Sequence, residues 1–149
     1  MSLEVRINED LKAAMKGGDK VAMRGIRAIK SAILLFKTDG SGRELDYALE
    51  IQLLQKLVKQ RLDSLEIYQT QNRPDLAVTE EEEIAIIRKY LPEQLDDTAL
   101  QSHIQAIVEE IGASGMKDMG KVMGLANQRL AGKAEGARIA VIVKSILAG

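Results

Sequence analysis

The chain has 149 residues, with 21 Lys+Arg against 22 Asp+Glu and a formal net charge of −1. That length allows one domain or two small subdomains that fold without covalent or metal staples. The absence of cysteine excludes disulfides, thiolate zinc sites and a cysteine nucleophile together. A single histidine, His103, excludes histidine metal clusters, and its place on a helix reads as a surface or interface residue rather than the base of a Ser-His-Asp triad on the usual pattern. No cofactor, metal or catalytic constellation is therefore expected. No apolar run of 18 residues occurs, and charged Glu4 and Arg6 stand where a signal segment would begin, so the chain reads as a soluble, cytoplasmic protein with no membrane partner. Charge is uneven: residues 74–110 hold 2 basic and 10 acidic groups, whereas 1–40 hold 8 and 5 and 111–149 hold 6 and 2. Basic ends around an acidic middle can steer a polyanion to one face, or can simply be solvated helix faces.

Leu, Ile, Ala, Lys, Glu and Gln dominate, which is helix-forming composition, and no segment alternates with the period of a strand. A first helix is predicted from Leu3 to Lys16, stopped by Gly17-Gly18. Asp19 can cap a second over Lys20 to Lys37, with Ala22, Ile26, Ile29, Ile33 and Phe36 on one face. Lys20, Arg24 and Arg27 lie opposite that face. After the connector at 38–42 comes the longest pattern, Glu44 to Gln71, with a stripe of Ile51, Leu54, Leu57, Val58, Leu65 and Tyr68. Two long helices joined by a short loop are expected to pair antiparallel. Pro74 suits the first turn of the next helix, whose acidic run Glu80–Glu83 reads as a solvated, dipole-complementing early turn, with Ile84, Ile87 and Leu91 buried. Pro92 ends it, and Tyr90-Leu91-Pro92 marks a subdomain boundary.

Beyond the break, Asp96 or Asp97 caps a helix that Gly112 stops near Ile111. A short helix follows over Lys117 to Leu130, and the last runs from about Glu135 to Leu147, burying Ile139, Ile142, Val143 and Ile146. The expected fold is all-α and multihelical: an N-terminal helical bundle (1–92) followed by a small three-helix subdomain (93–149).

Gly115 to Lys121 spells Gly-x-x-x-x-Gly-Lys, close to a phosphate-binding Walker A loop. Val122 stands where that loop needs Ser or Thr, and the upstream segment reads as helix rather than strand, which excludes the loop. Gly120 and Gly124 instead fall at i, i+4 on one helix face, where small residues let another backbone approach. That backbone can be a neighbouring helix or a sugar–phosphate chain. Gly132 and Gly136 bracket a tight turn whose following N–H groups could accept a phosphate. Lys117, Lys121, Lys133 and Arg138 cluster in the same stretch. The stripe of Lys20, Arg24 and Arg27 can likewise follow phosphates or be an ordinary polar face. Few aromatic residues argue against stacking of single-stranded bases.

Several blocks in order resemble the YqeY-like proteins of the GatB/YqeY family. They are Val58-Lys59-Gln60-Arg61 with Asp63-Ser64, Arg73 with Asp75-Leu76, Tyr90-Leu91-Pro92 with Gln94, Gly112-Ala113, Met116 through Gly124, and Gly132 with Gly136. The likeness implies an all-helical fold of two subdomains, similar to the tail of the B subunit of the glutamine-dependent aspartyl/glutamyl-tRNA amidotransferase, which helps hold the tRNA body. It thereby implies a non-catalytic tRNA-binding accessory protein, with the amidotransferase or an aminoacyl-tRNA synthetase as a possible protein partner. The alternative is a docking module on such an enzyme without RNA contact, for which the acidic middle would be the face. The family's label, carbon–nitrogen ligase with glutamine as amido-nitrogen donor, would describe the assembly, because this chain holds neither the kinase-like core nor the glutaminase. Glu135 stands where the family shows Asp, a better helix cap. Gln71-Asn72 and Pro74 around Arg73, and Ala137-Arg138-Ile139 after Gly136, also depart from the family pattern.

Overall fold

The computed structural model describes residues 1–149. Seven α-helices and one 3-10 turn are present and no strand: α1 (Leu3–Gly17), α2 (Lys20–Lys37), α3 (Tyr47–Thr70), α4 (Pro74–Arg88), α5 (Asp97–Ile111), the 3-10 turn (Met116–Asp118), α6 (Met119–Arg129) and α7 (Gly136–Ala148). The fold is all-α, as the composition and periodicity imply. The chain divides into two compact units, Met1–Leu91 and Pro92–Gly149, each with its own apolar core.

Local chemistry sets most helix boundaries. Side chains of Ser2, Asp19, Asp46 and Asp96 accept from the backbone N–H three residues on, at 3.2, 3.0, 2.9 and 2.8 Å. Each such cap contributes about 1 kcal/mol. The cap at Asp46 moves the start of α3 to Tyr47, three residues later than the apolar pattern suggests. At the other ends, Gly18 and Gly112 take left-handed φ of 66° and 64° and close α1 and α5, a conformation that only glycine adopts without strain. Leu3 N–H, an orphan donor at the start of α1, is satisfied across the unit by Glu50 Oε2 at 2.8 Å.

In the first unit, Leu3, Ile7, Ile26, Ile29, Ile33, Leu54, Val58, Ile84 and Ile87 form the core. The expected pairing of α2 with α3 is not the main contact. α4 packs against both, while α2 and α3 touch only slightly. The reason is Gly25, a buried residue of α2 that the sequence pattern passes over. A Cβ built there would lie 2.6 Å from both Cβ and Cγ2 of Ile86, so the α4 side chain fills the space a side chain on α2 would need. Ile86, also outside the expected stripe, is consequently buried. At the end of α4, Tyr90 is buried and its hydroxyl donates to Asp10 of α1 at 2.5 Å, with the Arg6 guanidinium 5.2 Å from the ring centre. Burial, first, and then the Asp10 acceptor raise the phenol far above its ordinary value.

The same packing corrects the reading of the acidic run. Glu80–Glu83 lies in the middle of a helix that begins at Pro74 and ends at Arg88, beyond the turn that the dipole favours. Glu83 is shared by Arg24 Nε at 3.4 Å and Arg61 Nε at 3.3 Å, and Arg24 Nη2 reaches Glu82 at 3.5 Å. Arg61 and Glu83 are only 17% and 14% exposed, and Arg61 also donates to the Leu57 carbonyl at 3.0 Å. Arg24 Nε is buried without a hydrogen bond, so its attraction to Glu83 is purely coulombic. These pairs link α2, α3 and α4 beside the Gly25 contact. Burial, and then the Glu83 charge, raise the Glu80 carboxyl above the usual carboxylate range, opposed by Arg61 and Arg24.

In the second unit Leu100, Ile104 and Ile107 of α5, Val122 and Ala126 of α6, and Ile139 and Val143 of α7 form the core. The expected helix from Lys117 is a 3-10 turn first, held where Asp118 Oδ2 accepts Ser114 N–H at 2.8 Å, and α-helical only from Met119.

Two outcomes follow from this packing. Gly25→Ala should destabilise the first unit, because overpacking of roughly 1–3 kcal/mol outweighs a helix-propensity gain of about 1 kcal/mol. Gly120→Ala and Gly124→Ala, which would meet nothing within 4 Å, should each stabilise by up to about 1 kcal/mol. Urea unfolding with amide exchange to separate the units checks both, and a Gly25→Ala protein as stable as the parent would refute the close approach of Ile86. For Glu80, the folded state binds its proton more tightly than the unfolded chain. Its favourable contribution is therefore present below the ordinary carboxylate pKa and lost as pH rises through the raised value. Glu80→Gln, permanently neutral, should be more stable than the parent at neutral pH, with the gap closing on acidification; a gap that does not change with pH would contradict this.

Candidate nucleic-acid interface

Seven cations were expected to face phosphate, and the structure separates them into free and tied groups. Lys117 in the 3-10 turn, Lys121 in the first turn of α6 and Lys133 in the turn before α7 are all exposed. None of the three enters an ion pair within the chain. Arg138 does: its Nη2 donates to the Leu95 carbonyl at 3.1 Å and to Asp97 Oδ1 at 2.6 Å. It is a brace between the start of α7 and the start of α5 rather than an open cation. Arg129 at the far end of α6 is similarly held by Glu110 in a two-pronged pair, whose hydrogen bonds and charge keep the Glu110 carboxyl below its ordinary range.

On α2, Lys20 and Arg27 are exposed and unpaired, but Arg24 between them is turned to Glu82 and Glu83. The three-cation stripe is thus two cations with an ion-paired residue between them. Helical spacing put Arg24 on an open polar face; α4 instead covers that side of α2, half-buries Arg24 and brings acids to it.

The glycines also divide. Gly120, Gly124 and Gly136 are exposed, and a Cβ at any of them would meet no atom within 4 Å. No neighbouring helix uses them, which removes the intramolecular reading of Gly120 and Gly124. They leave the outer side of α6 bare, opposite the buried Val122 and Ala126. Lys121, Gly124 and Gln128 follow one another there at i, i+3 and i+7, flanked by Gly120 and Asn127, and all five are exposed. Gly132 behaves differently. It is buried with a left-handed φ of 77°, and its carbonyl accepts Gln94 Nε2 at 2.6 Å.

That bond belongs to a set that fixes the turn carrying Lys133. Gln94 Nε2 also donates to the Pro92 carbonyl at 2.8 Å, Leu95 N–H donates to the Lys133 carbonyl at 2.8 Å, and Arg138 adds its two bonds to Leu95 and Asp97. Residues 92–97 are therefore laced to 132–138, and the Lys133 ammonium projects from a fixed turn. Glu135, the residue before α7, makes no capping bond to the helix, so the orphan N–H groups of that first turn lack a side-chain cap. His103 is exposed on α5, away from this turn in sequence and from any role in it. Sequence reasoning found the lysines and glycines but missed Gln94 as their support, although Gln94 stands in the family block. No helix is long and apolar enough to cross a membrane.

Comparison with known proteins agrees with the motif. The profile of the family described as Yqey-like protein matches residues 4–147. Similar curated proteins are named altered inheritance of mitochondria protein 41, mitochondrial. That of Lachancea thermotolerans is 40% identical over 85 residues, 57% of this chain and 46% of the relative. That of Vanderwaltozyma polyspora is 32% identical over 120 residues, 76% and 64%, and that of Pyrenophora tritici-repentis 28% over 131 residues, 87% and 71%. The chain thus spans 46% and 64% of the lengths of the first two relatives. With the profile covering nearly its whole length and the motif from Met116 to Gly124 in an ordered turn and helix, this chain belongs to the YqeY-like protein family.

Proposed function

We propose that this protein is a non-catalytic accessory factor that binds tRNA through the outer face of α6 and the turn before α7. The observation that carries the proposal is the division of the cations: Lys117, Lys121 and Lys133 have no carboxylate partner, whereas Arg24, Arg129 and Arg138 do. An unpaired ammonium group exchanges condensed counterions for a phosphate without breaking a bond inside the protein. Bare helix backbone at Gly120 and Gly124 lets a sugar–phosphate chain come closer than side chains would allow. Residues 92–149 contain no Phe, Tyr or Trp, so the contact is with backbone and shape rather than with stacked bases. Lys20 and Arg27 form a second, weaker contact in the first unit.

An amidotransferase or aminoacyl-tRNA synthetase is the proposed protein partner, and the ligase label belongs to that assembly. A cytoplasmic setting is part of the same proposal, while the fungal relatives are named as mitochondrial proteins. The alternative of docking without RNA, through the acidic middle, is weakened by the pairing of Glu82 and Glu83 with Arg24.

The test is tRNA affinity measured across a range of salt. The Lys117→Glu, Lys121→Glu, Lys133→Glu variant should bind much more weakly, and its log–log salt slope should shrink by about 2–3, near 0.9 for each phosphate that is no longer neutralised. Gly120→Ala with Gly124→Ala should weaken binding while raising stability, an opposition that a folding defect cannot produce. Lys20→Glu with Arg27→Glu should have the smaller effect. Unchanged affinity and slope in the lysine variant would end this assignment of the site.

A further inference from the structure

The slight contact between α2 and α3 leaves a groove between them of about 450 Å³. One wall is the end of α2, with Ala32, Leu35 and Phe36; the other is α3, with Leu49, Leu53 and Leu57. Neither α1 nor α4 contributes to it. Leu49, Leu53 and Leu57 recur at i, i+4 and i+8; Leu57 is buried and forms the floor, while Leu49 and Leu53 are partly exposed, one helical turn apart. Leu35 is 71% exposed and neighbouring Leu34 62%, in a unit whose other α2 leucine-sized apolar residues, Ile26, Ile29 and Ile33, are buried.

Charge selects the occupant. Asp39 at the mouth is neutralised by Arg43 at 3.5 Å and held ionised by hydrogen bonds from Ser41. Arg43 in turn lies 5.1 Å from the centre of the Phe36 ring, closing that end. The remaining polar lining is Gln52, Gln60 and Lys56, and Lys56 has no carboxylate partner. The single uncompensated charge on the rim is therefore positive. We infer that the α2–α3 groove is a docking site for an amphipathic helix of a partner protein that carries acidic residues along its polar edge. Apolar anchors of that helix at i, i+3, i+4 and i+7 would enter between Leu35 and Leu53, and an acid beside them would meet Lys56.

The experiment uses the full chain and two synthetic helical peptides. Both carry leucines at that spacing; one has glutamates and the other lysines on the polar flank. Binding is read by fluorescence anisotropy without RNA, so its outcome is independent of the tRNA proposal. The Glu-flanked peptide should bind about two- to five-fold more tightly than its Lys-flanked twin, the range of a single exposed ion pair. Lys56→Glu should reverse the preference, and Leu35→Asp, at an exposed position that folding tolerates, should abolish binding of both. Three results would overturn the inference: no binding of either peptide, equal binding that ignores Lys56→Glu, or self-association of the protein that Leu35→Asp dissolves. The last would make the occupant a second copy of this chain.

Discussion

The first unit is organised by the contact of Gly25 with Ile86. A helix interior is an unfavourable place for glycine, by about 1 kcal/mol relative to alanine, and here the missing side chain is the space into which α4 fits. Once α4 is seated there, the residue before Gly25 necessarily faces the acids one turn along α4. Arg24 then meets Glu82 and Glu83, and Arg61 of α3 closes on Glu83 from the other side. Apolar packing thus comes first and dictates which charges are compensated.

That ordering matters for function because total charge says almost nothing in a chain of net −1. What matters is which cations retain the freedom to exchange partners. The first unit ties its central arginine into the α2–α3–α4 junction. The second ties Arg129 to Glu110 and Arg138 to Asp97. In both places the planar guanidinium, suited to two-pronged pairing, acts as an internal brace, while the unpaired lysines point outward. The turn bearing Lys133 is at the same time immobilised by Gln94, Leu95 and Arg138, so free charge and fixed position coexist within a few residues.

Much of the fold was legible because its signals are local. Asp19 and Asp96 announce helix starts, Gly112 announces a stop, and the apolar spacing of Ile26, Ile29 and Ile33 gives the buried face without reference to anything distant. The partner of each face was not legible. A loop of a few residues suggests that α2 and α3 pair, and nothing in either helix reveals that a third will be inserted. Gly25 in a helix reads as a minor defect until Ile86 is seen against it. Tertiary ion pairs were hidden for the same reason: Arg24 and Glu83 are far apart in sequence, and Arg138 gives no sign of Leu95 or Asp97. At the candidate interface the pattern of Lys121, Gly120 and Gly124 was visible, but only the empty space around those glycines distinguishes an external partner from a packed helix.

Chemical-shift mapping of the isotope-labelled full chain during titration with tRNA locates the contact surface residue by residue. Perturbations should concentrate at Lys117, Gly120, Lys121, Gly124, Gln128 and Lys133 and fade as salt is raised, with Arg24, Arg61 and Glu83 undisturbed. Perturbations centred on the α2–α3–α4 ion pairs, or a spectrum that tRNA leaves unchanged at low salt, would contradict it.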